Sequence, residues 1–533
     1  MVRWSSIGLD GKQAELIRRT SRMYTDLNRS SSARNPEQVI FRKEVDLKAK
    51  LRQNPFVQRV YRYRSMLILL AIALLLRIVV FLEFPSIYYP DEIFQSQEPA
   101  HLLAFGSGVI TWEYRLGARS WVLPAVIAGI MKCTAWLSPG SSGYIFGTCL
   151  CFSILSLTVV WFAYSWCMRY FGTACALVAA FTTAIWFELI YFGPRTLNEF
   201  VAGNLLLPAL YFGSPHCLRR PEGSWRLFTT GALLGLTVCL RIQFSVAVLL
   251  VGLWVISHNW RKRSLPMVAG IAVVVLVFGL VDTVTWSYPF HSYYEIIRQN
   301  IFHHRAAQFG TEPWYFFFSK LLSHTGPMVL LAIVGVRRSP VLGWVCLAVV
   351  IPHVLIGHKE YRFIYPVLPI VLILASIGLI DISRFLNHAL TLGLSEHVEM
   401  AIAGSVILAC SLVLASLYPD WTKARGELEA FNRLSVDRDA CGVAIRDVAR
   451  NHVGGYTHLN RSIPIFVFYR LSDAYPFVGT FNRIVAPESI GLSIQGYTAL
   501  SCKDGTCVYG RVGTCKAGGM EHEINEFMKQ RGF

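Results

Sequence analysis

The chain has 533 residues, 54% of them hydrophobic and only 16% charged, with a net charge of +17 and a mean hydropathy of +0.44. Soluble domains carry roughly 45–50% apolar and about 25% charged residues. One large soluble core is therefore excluded, and a chain that crosses a membrane many times is expected.

The positive charge is uneven. Residues 1–64 hold 15 Lys/Arg against 6 Asp/Glu and lie directly before the first apolar run. Basic flanks of this kind stay on the cytoplasmic side, which accounts for the excess without nucleic acid; contact with anionic membrane lipids is a secondary role. These residues contain no apolar h-region of a signal peptide. Met66–Phe81 is then the first anchor, the amino terminus is cytosolic, and the loop over 82–120 faces the lumen or periplasm.

Further apolar segments fall near 121–137, 144–168, 173–192, 200–213, 226–256, 266–286, 328–356, 363–380 and 399–418. The 226–256 run is long enough for a tight pair, and Arg337-Arg338-Ser339-Pro340 breaks 328–356. The expectation is a mainly α, polytopic protein with ten to twelve spans, organised as a basic segment (1–64), a transmembrane domain (65–418) and a carboxyl-terminal region (419–533). Basic clusters at Arg219–Arg220 and Arg261–Lys262–Arg263 mark cytoplasmic loops. The last region, with Gly, Pro, charge and short β-prone runs such as Ile463–Tyr469, reads as a small α/β unit. Its four cysteines, Cys441, Cys502, Cys507 and Cys515, lack C-x-x-C spacing, so one or two disulfides fit better than zinc.

Three polar interruptions carry the chemistry. Tyr88–Pro124 contains Asp91, Glu92, Gln95, Glu98, His101, Trp112, Glu113, Arg115 and Arg119. Ser287–Gly326 is dense in Tyr, Trp, Phe and His, and reads equally as an interfacial aromatic belt or a substrate loop that includes Trp314. Gly357–Phe363 places His358, Lys359, Glu360 and Arg362 between two apolar runs, with Pro366 and Pro369 close behind. If a sugar moves from a polyprenyl phosphate to a hydroxyl, that hydroxyl must lose a proton, and Asp91 or Glu92 can take it. The leaving phosphate needs positive charge, for which Arg119, Arg195, Arg241, His358, Lys359 and Arg362 are suited. Arg195 and Arg241 lie in or beside apolar segments, where ionisable groups are costly and mark function. No cofactor is expected, and basic side chains can stand where other glycosyltransferases use a metal. The chain has no P-loop, H-E-x-x-H or dinucleotide fingerprint.

These residues resemble the family 22 mannosyltransferases of the GT-C superfold. Tyr89-Pro90-Asp91-Glu92-x-Phe94-Gln95, then Glu98, His101, Phe105-Gly106, Thr111-Trp112-Glu113 and Arg119-Ser120, are similar to the family's first-loop signature. His358-Lys359-Glu360-x-Arg362-Phe363, with both prolines, matches a second. Gly310-Thr311-Glu312-Pro313-Trp314-Tyr315 resembles a third. Arg195-Thr196-Leu197-Asn198 is one residue shorter than the family's element, and Arg241-Ile242-Gln243 replaces an Arg-Pro-Thr. The branch that adds the third mannose to glycosylphosphatidylinositol is nearest. The resemblance implies a GT-C fold and an inverting enzyme of the endoplasmic reticulum membrane with a lumenal active site. It implies a dolichyl or polyprenyl phosphate mannose donor and a glycolipid or lipid-linked oligosaccharide acceptor. Asp91 would be the base, Glu92 its orienting neighbour, and the 358–363 insert the holder of the donor phosphate. A transporter or flippase of lipid-linked sugars is the alternative, although no repeated halves are visible.

Overall fold

In a computed structural model of the protein, the described residues are 55–215, 223–418, 420–446, 453–490 and 496–532. The chain divides into two units, Met1–Ser65 and Met66–Phe533, and the helical bundle and its polar loops belong to the second. The basic amino-terminal segment expected from sequence lies outside the described residues up to position 54.

A long apolar helix, α1 (Pro55–Glu83), leads into the first polar loop, which holds α2 (Glu98–Phe105) and α3 (Trp112–Arg115) and is followed by the short apolar α4 (Val122–Thr134). Eight helices follow: α5 (Ser142–Tyr170), α6 (Thr173–Ile185), α7 (Phe187–Phe192), α8 (Asn198–Gly213), α9 (Gly223–Leu240), α10 (Ser245–Ser257), α11 (Trp260–Thr285) and α12 (His291–Ile297). The bundle closes with α13 (Phe316–Thr325), α14 (Met328–Val336), α15 (Pro340–Val354), α16 (Val367–Ala389) and α17 (Glu396–Leu417).

Among the described residues, five helices are individually long and apolar enough to cross a membrane, or six if the pair α13–α14, bent by 106°, is one broken span. The other apolar segments expected from sequence form shorter helices because polar or turn-forming residues interrupt them. Trp186 turns extended between α6 and α7, Arg241 does so between α9 and α10, and Gly326 takes φ +53° at the α13–α14 bend. The ten to twelve anticipated spans thus appear as five full-length helices plus shorter and broken ones.

Small residues set the tightest crossings. A Cβ on Gly231 or Gly270 would lie 1.9 or 2.1 Å from a backbone oxygen across the α9–α11 contact, and Gly335 and Gly378 are equally tight where α14 crosses α16. Helices this close gain dispersion contact, which matters where lipid removes the hydrophobic drive. Arg77, inside α1 and 1% exposed, is not left bare: Ser156 Oγ accepts from its Nε at 2.7 Å and Ala73 O from its Nη1 at 2.9 Å.

Beyond α17 comes α18 (Arg425–Val436), then β1 (Val443–Arg446), α19 (Tyr456–Leu459), β2 (Ile465–Phe468), α20 (Leu471–Ala474), β3 (Arg483–Pro487), β4 (Thr498–Lys503), β5 (Thr506–Gly510) and α21 (Ile524–Gln530). The sheet order is β2-β1-β3-β5-β4, with β1 parallel to β2 and β3, and β5 antiparallel to β3 and β4. The cysteines pair as Cys441–Cys515 and Cys502–Cys507.

This small α/β region shares its core with the first loop. Ile87, Ile93 and Val109 are buried with Phe431, Ile445, Ile465 and Ile524 in one cluster. Glu98 fastens the two polar segments: its carboxylate accepts from Val109 N at 2.8 Å, Gly455 N at 3.1 Å and Thr457 N at 2.9 Å. Burial raises the Glu98 carboxyl, while His101 and these amides work against that shift. Removing the acceptor strands three buried N–H groups, at about 1–3 kcal/mol each. We expect Glu98→Ala to lose about 3 kcal/mol or more and to expose the 82–120 loop to protease; melting in detergent and limited proteolysis test this.

Candidate active site

The first loop acquires its shape from a proline. Pro99 has no N–H to donate back to Gln95, and the turn over Ile93–Gln97 opens into a π-helical turn just before α2. The Gln95 carbonyl left over accepts instead from the buried Tyr114 hydroxyl at 2.7 Å. Tyr89-Pro90 begins this turn, with Ile93 N bonding Pro90 O at 2.9 Å, and Asp91 projects from its start. The Asp91 side chain is 33% exposed, whereas Glu92, one residue on, is 2% exposed.

The second contributor is the 358–363 insert. Glu360 is extended, then Tyr361–Ile364 makes a 3-10 turn that runs into Pro366 and α16. This geometry puts the Glu360 and Arg362 side chains side by side, Arg362 Nε at 2.8 Å from Glu360 Oε2. Arg362 Nη2 also donates to Asp91 Oδ2, which joins the two polar segments directly. Its third contact is Glu199, on the first turn of α8, at 3.6 Å. Glu199 is completely buried and sits 3.0 Å from Arg241 Nη2.

The cluster extends through the loop. Glu113 Oε1 accepts from Arg119 Nε and Nη2 at 3.2 and 3.0 Å and from Gln95 Nε2 at 3.0 Å. Burial raises the Glu113 carboxyl; Arg119 opposes this, and the nearby Asp91 charge adds to it. A cavity of about 50 Å3 lies alongside, lined in part by Arg119, Asn198, Arg241, Gln243 and Tyr293. Beside the cluster, Arg195 Nη1 is 3.6 Å from Glu92 Oε2 and also donates to Ser86 O. Burial raises the Glu92 carboxyl, with Arg195 pulling it back.

Lys359 differs from the arginines. It is 6% exposed, and its ammonium donates to the carbonyls of Glu312 at 2.7 Å and Gly357 at 3.4 Å. Among the described residues no carboxylate lies within ion-pair distance of it. His358 bridges the Gly310 carbonyl (2.9 Å) and Glu360 Oε1 (3.1 Å), so the 310–312 segment and the insert fold onto each other.

Thus the structure brings together Asp91, Gln95, Glu113, Arg119, Arg241, His358, Lys359, Glu360 and Arg362, with Glu92 and Arg195 as an adjoining pair. Three other residues singled out from sequence take partners elsewhere. His101 is fully buried, bonded to Ser107 O at 2.5 Å and packed on Phe105 and Tyr144. Trp112 lies under Arg305, 4.1 Å from ring centre to guanidinium. Trp314 is 68% exposed beside Tyr315 and Phe318. Sequence reasoning missed Glu199. The available signal was an acid at the start of an apolar helix, which is costly enough to flag by itself.

Fold and site together define a polytopic membrane protein with a buried carboxylate–guanidinium cluster. The chain belongs to the Alg9-like mannosyltransferase family, whose profile matches residues 67–442. A GPI mannosyltransferase 3 of Yarrowia lipolytica is 26% identical, over 72% of this chain and 72% of that protein. A GPI mannosyltransferase 3 of Drosophila melanogaster is 29% identical over 54% and 51%, and the alpha-1,2-mannosyltransferase alg9 of Schizosaccharomyces pombe 28% over 60% and 59%. The chain therefore spans only about half to three-fifths of the latter two proteins. The solved structure of ArnT from Cupriavidus metallidurans bound to undecaprenyl phosphate shares the GT-C fold. It superposes with a TM-score of 0.56 at 11% identity, covering 86% of this chain and 100% of that one.

The insert makes a pH prediction. Its hydrogen bond to Glu360 raises the His358 imidazole against the effect of burial. Burial acts against the Glu360 carboxylate, but Arg362 and His358 outweigh it and hold the group well below the usual range. A raised His stabilises below its unfolded value of about 6.5 and loses that contribution as pH climbs through the folded value; a depressed Glu stabilises above about 4.3 and loses its share as pH falls. Melting temperature should therefore decline from about pH 6.5 upward in the wild type, and His358→Gln should remove that decline.

Proposed function

We propose that the protein is an inverting mannosyltransferase that moves mannose from a dolichyl or other polyprenyl phosphate to a hydroxyl of a lipid-linked glycan. A glycosylphosphatidylinositol precursor is the acceptor favoured by the named relatives. One observation carries the reading: a partly exposed carboxylate, Asp91, is locked by Arg362 to the segment that holds the buried ammonium of Lys359, which pairs with no carboxylate among the described residues.

The chemistry balances with these groups alone. The acceptor oxygen bonds to the anomeric carbon on the face opposite the phosphate, its proton passes to Asp91 Oδ1, and the bond from that carbon to the phosphate oxygen breaks. Polyprenyl phosphate leaves with one more negative charge, which Lys359 and His358 stabilise. Arg362 holds Asp91 through Oδ2 and leaves the other oxygen free for the acceptor. Arg119, Arg195 and Arg241, each beside a carboxylate, keep that frame in place, and Arg119 and Arg241 also line the small cavity next to it. The apolar helices accommodate the prenyl chain.

The disulfides in the carboxyl-terminal region, which packs on the Asp91 loop, support an oxidising compartment for this face. Basic residues at the far ends of the spans support a cytosolic opposite face, and the reading is a multi-pass protein of the endoplasmic reticulum membrane with a lumenal site.

Asp91→Asn, which keeps an oxygen to accept from Arg362, should lower transfer about 10²–10⁴-fold while the protein stays folded, and Lys359→Ala should lower kcat and weaken donor use. Purified enzyme with polyprenyl phosphate mannose and a glycolipid acceptor provides the assay. Near-normal turnover by Asp91→Asn would remove it as the base.

A further inference from the structure

The cavity of about 50 Å3 beside Arg119 adjoins the reacting groups without containing them. Asp91 connects to its wall through Arg362, Glu199 and Arg241, each within 3.6 Å of the next. Two turns of the chain place neutral polar side chains in that wall. Asn198 opens helix α8, one residue before Glu199. Gln243 stands in the 3-10 turn Ile242–Phe244, where Arg241 has broken the apolar run and the buried Phe244 anchors the turn.

Three features describe the ligand. Neither the Asn198 nor the Gln243 carboxamide has a hydrogen-bond partner among the described residues, although Asn198 is only 9% exposed. Their oxygen and nitrogen atoms are reachable, unlike Ser120 Oγ and Arg241 Nε, which are enclosed within the same wall. A buried amide left unpaired is costly unless something in the cavity bonds it. Each amide offers both a donor and an acceptor, the same two roles that a hydroxyl group takes. Second, the guanidiniums in the wall are already matched, Arg119 by Glu113 and Arg241 by Glu199, which leaves little free charge for an anion. Third, Leu123, Leu240 and Phe278 put apolar surface between the polar groups, which suits the C–H faces of a sugar ring. At roughly 10–15 Å3 for each water-sized group, the space takes about three to five of them. That is one hydroxyl-bearing edge of a hexose, with the rest of a glycan in the open mouth.

We propose that this cavity binds the terminal hexose of the acceptor glycan, with Asn198 and Gln243 bonding its hydroxyls. The choice of the acceptor, rather than the mannose being transferred, rests on the mannosyl-transfer reading and its inversion. An inverting acceptor attacks the anomeric carbon from the face opposite the departing phosphate. That phosphate is assigned to Lys359 and His358, and among the described residues none from 310–312 or 357–363 lines the cavity. The side away from Lys359 is therefore the acceptor's. Loss of either carboxamide should act on acceptor use and spare donor use.

Steady-state kinetics of the purified full chain, varying polyprenyl phosphate mannose and glycolipid acceptor in turn, test the proposal. Gln243→Leu and Asn198→Ala should each raise the acceptor KM about fivefold and leave the donor KM unchanged, a split that partial unfolding does not produce. A second arm needs no transfer. Saturation-transfer NMR should detect methyl α-D-mannoside on the wild-type protein, with about fivefold weaker binding in each variant and no displacement by inorganic phosphate. An unchanged acceptor KM in both variants, an equal rise in donor KM, mannoside binding that neither substitution weakens, or its displacement by millimolar phosphate would each overturn the proposal. If the wild type forms no mannosylated product while the mannoside arm holds, the reaction and the acceptor assignment fall together, and hexose binding by the cavity stands.

Discussion

Arg362 is the constraint on which this site depends. A guanidinium 5% exposed cannot stand alone at the edge of a membrane, and here it contacts three carboxylates from three separate parts of the chain, Asp91, Glu199 and Glu360. Glu199, fully buried, would in turn be expensive to keep there without its guanidinium partners. The mutual dependence ties the first loop, the start of α8 and the insert before α16 into one geometry. Stacking over Tyr89 and Phe363, at 5.1 and 5.2 Å, fixes the plane of the guanidinium as well as its charge.

Around that centre, charge is nearly exhausted by internal pairing. Arg119 faces Glu113, Arg195 faces Glu92 and Arg241 faces Glu199. Such pairs preorganise a site without offering much unbalanced charge to a ligand. Among the described residues Lys359 is the exception: backbone carbonyls solvate its ammonium, and no carboxylate there pairs with its charge. An incoming phosphate completes the electrostatics at that position. The carboxyl-terminal region supplies rigidity from the other side by burying Ile87, Ile93 and Val109 of the loop in its own core and bonding Glu98.

Much of the architecture was legible in the sequence because it is local. The 226–256 run resolved into α9 and α10 around Arg241, the basic Pro340 break separated α14 from α15, and short β-prone stretches became a sheet. The two polar segments with the densest charge proved to touch. What was not legible depends on pairing between distant positions. Glu199 had no neighbour in sequence to reveal Arg241 and Arg362 as its partners. Arg195 and Arg241 looked like free cations because the carboxylates facing them lie 103 and 42 residues away in the chain. His101 stood out by residue type, yet its ring serves the joint between loop and carboxyl-terminal region. The lengths of the spans were also misleading, since one polar residue inside an apolar run can end a helix.

The most direct measurement is a structure of the protein with a non-reactive polyprenyl phosphate mannose analogue. A phosphate oxygen is expected about 2.7–3.2 Å from Lys359 Nζ, with the anomeric carbon turned toward Asp91. A phosphate lodged away from the 358–363 insert, with Asp91 remote from the sugar, would contradict the assignment of both groups.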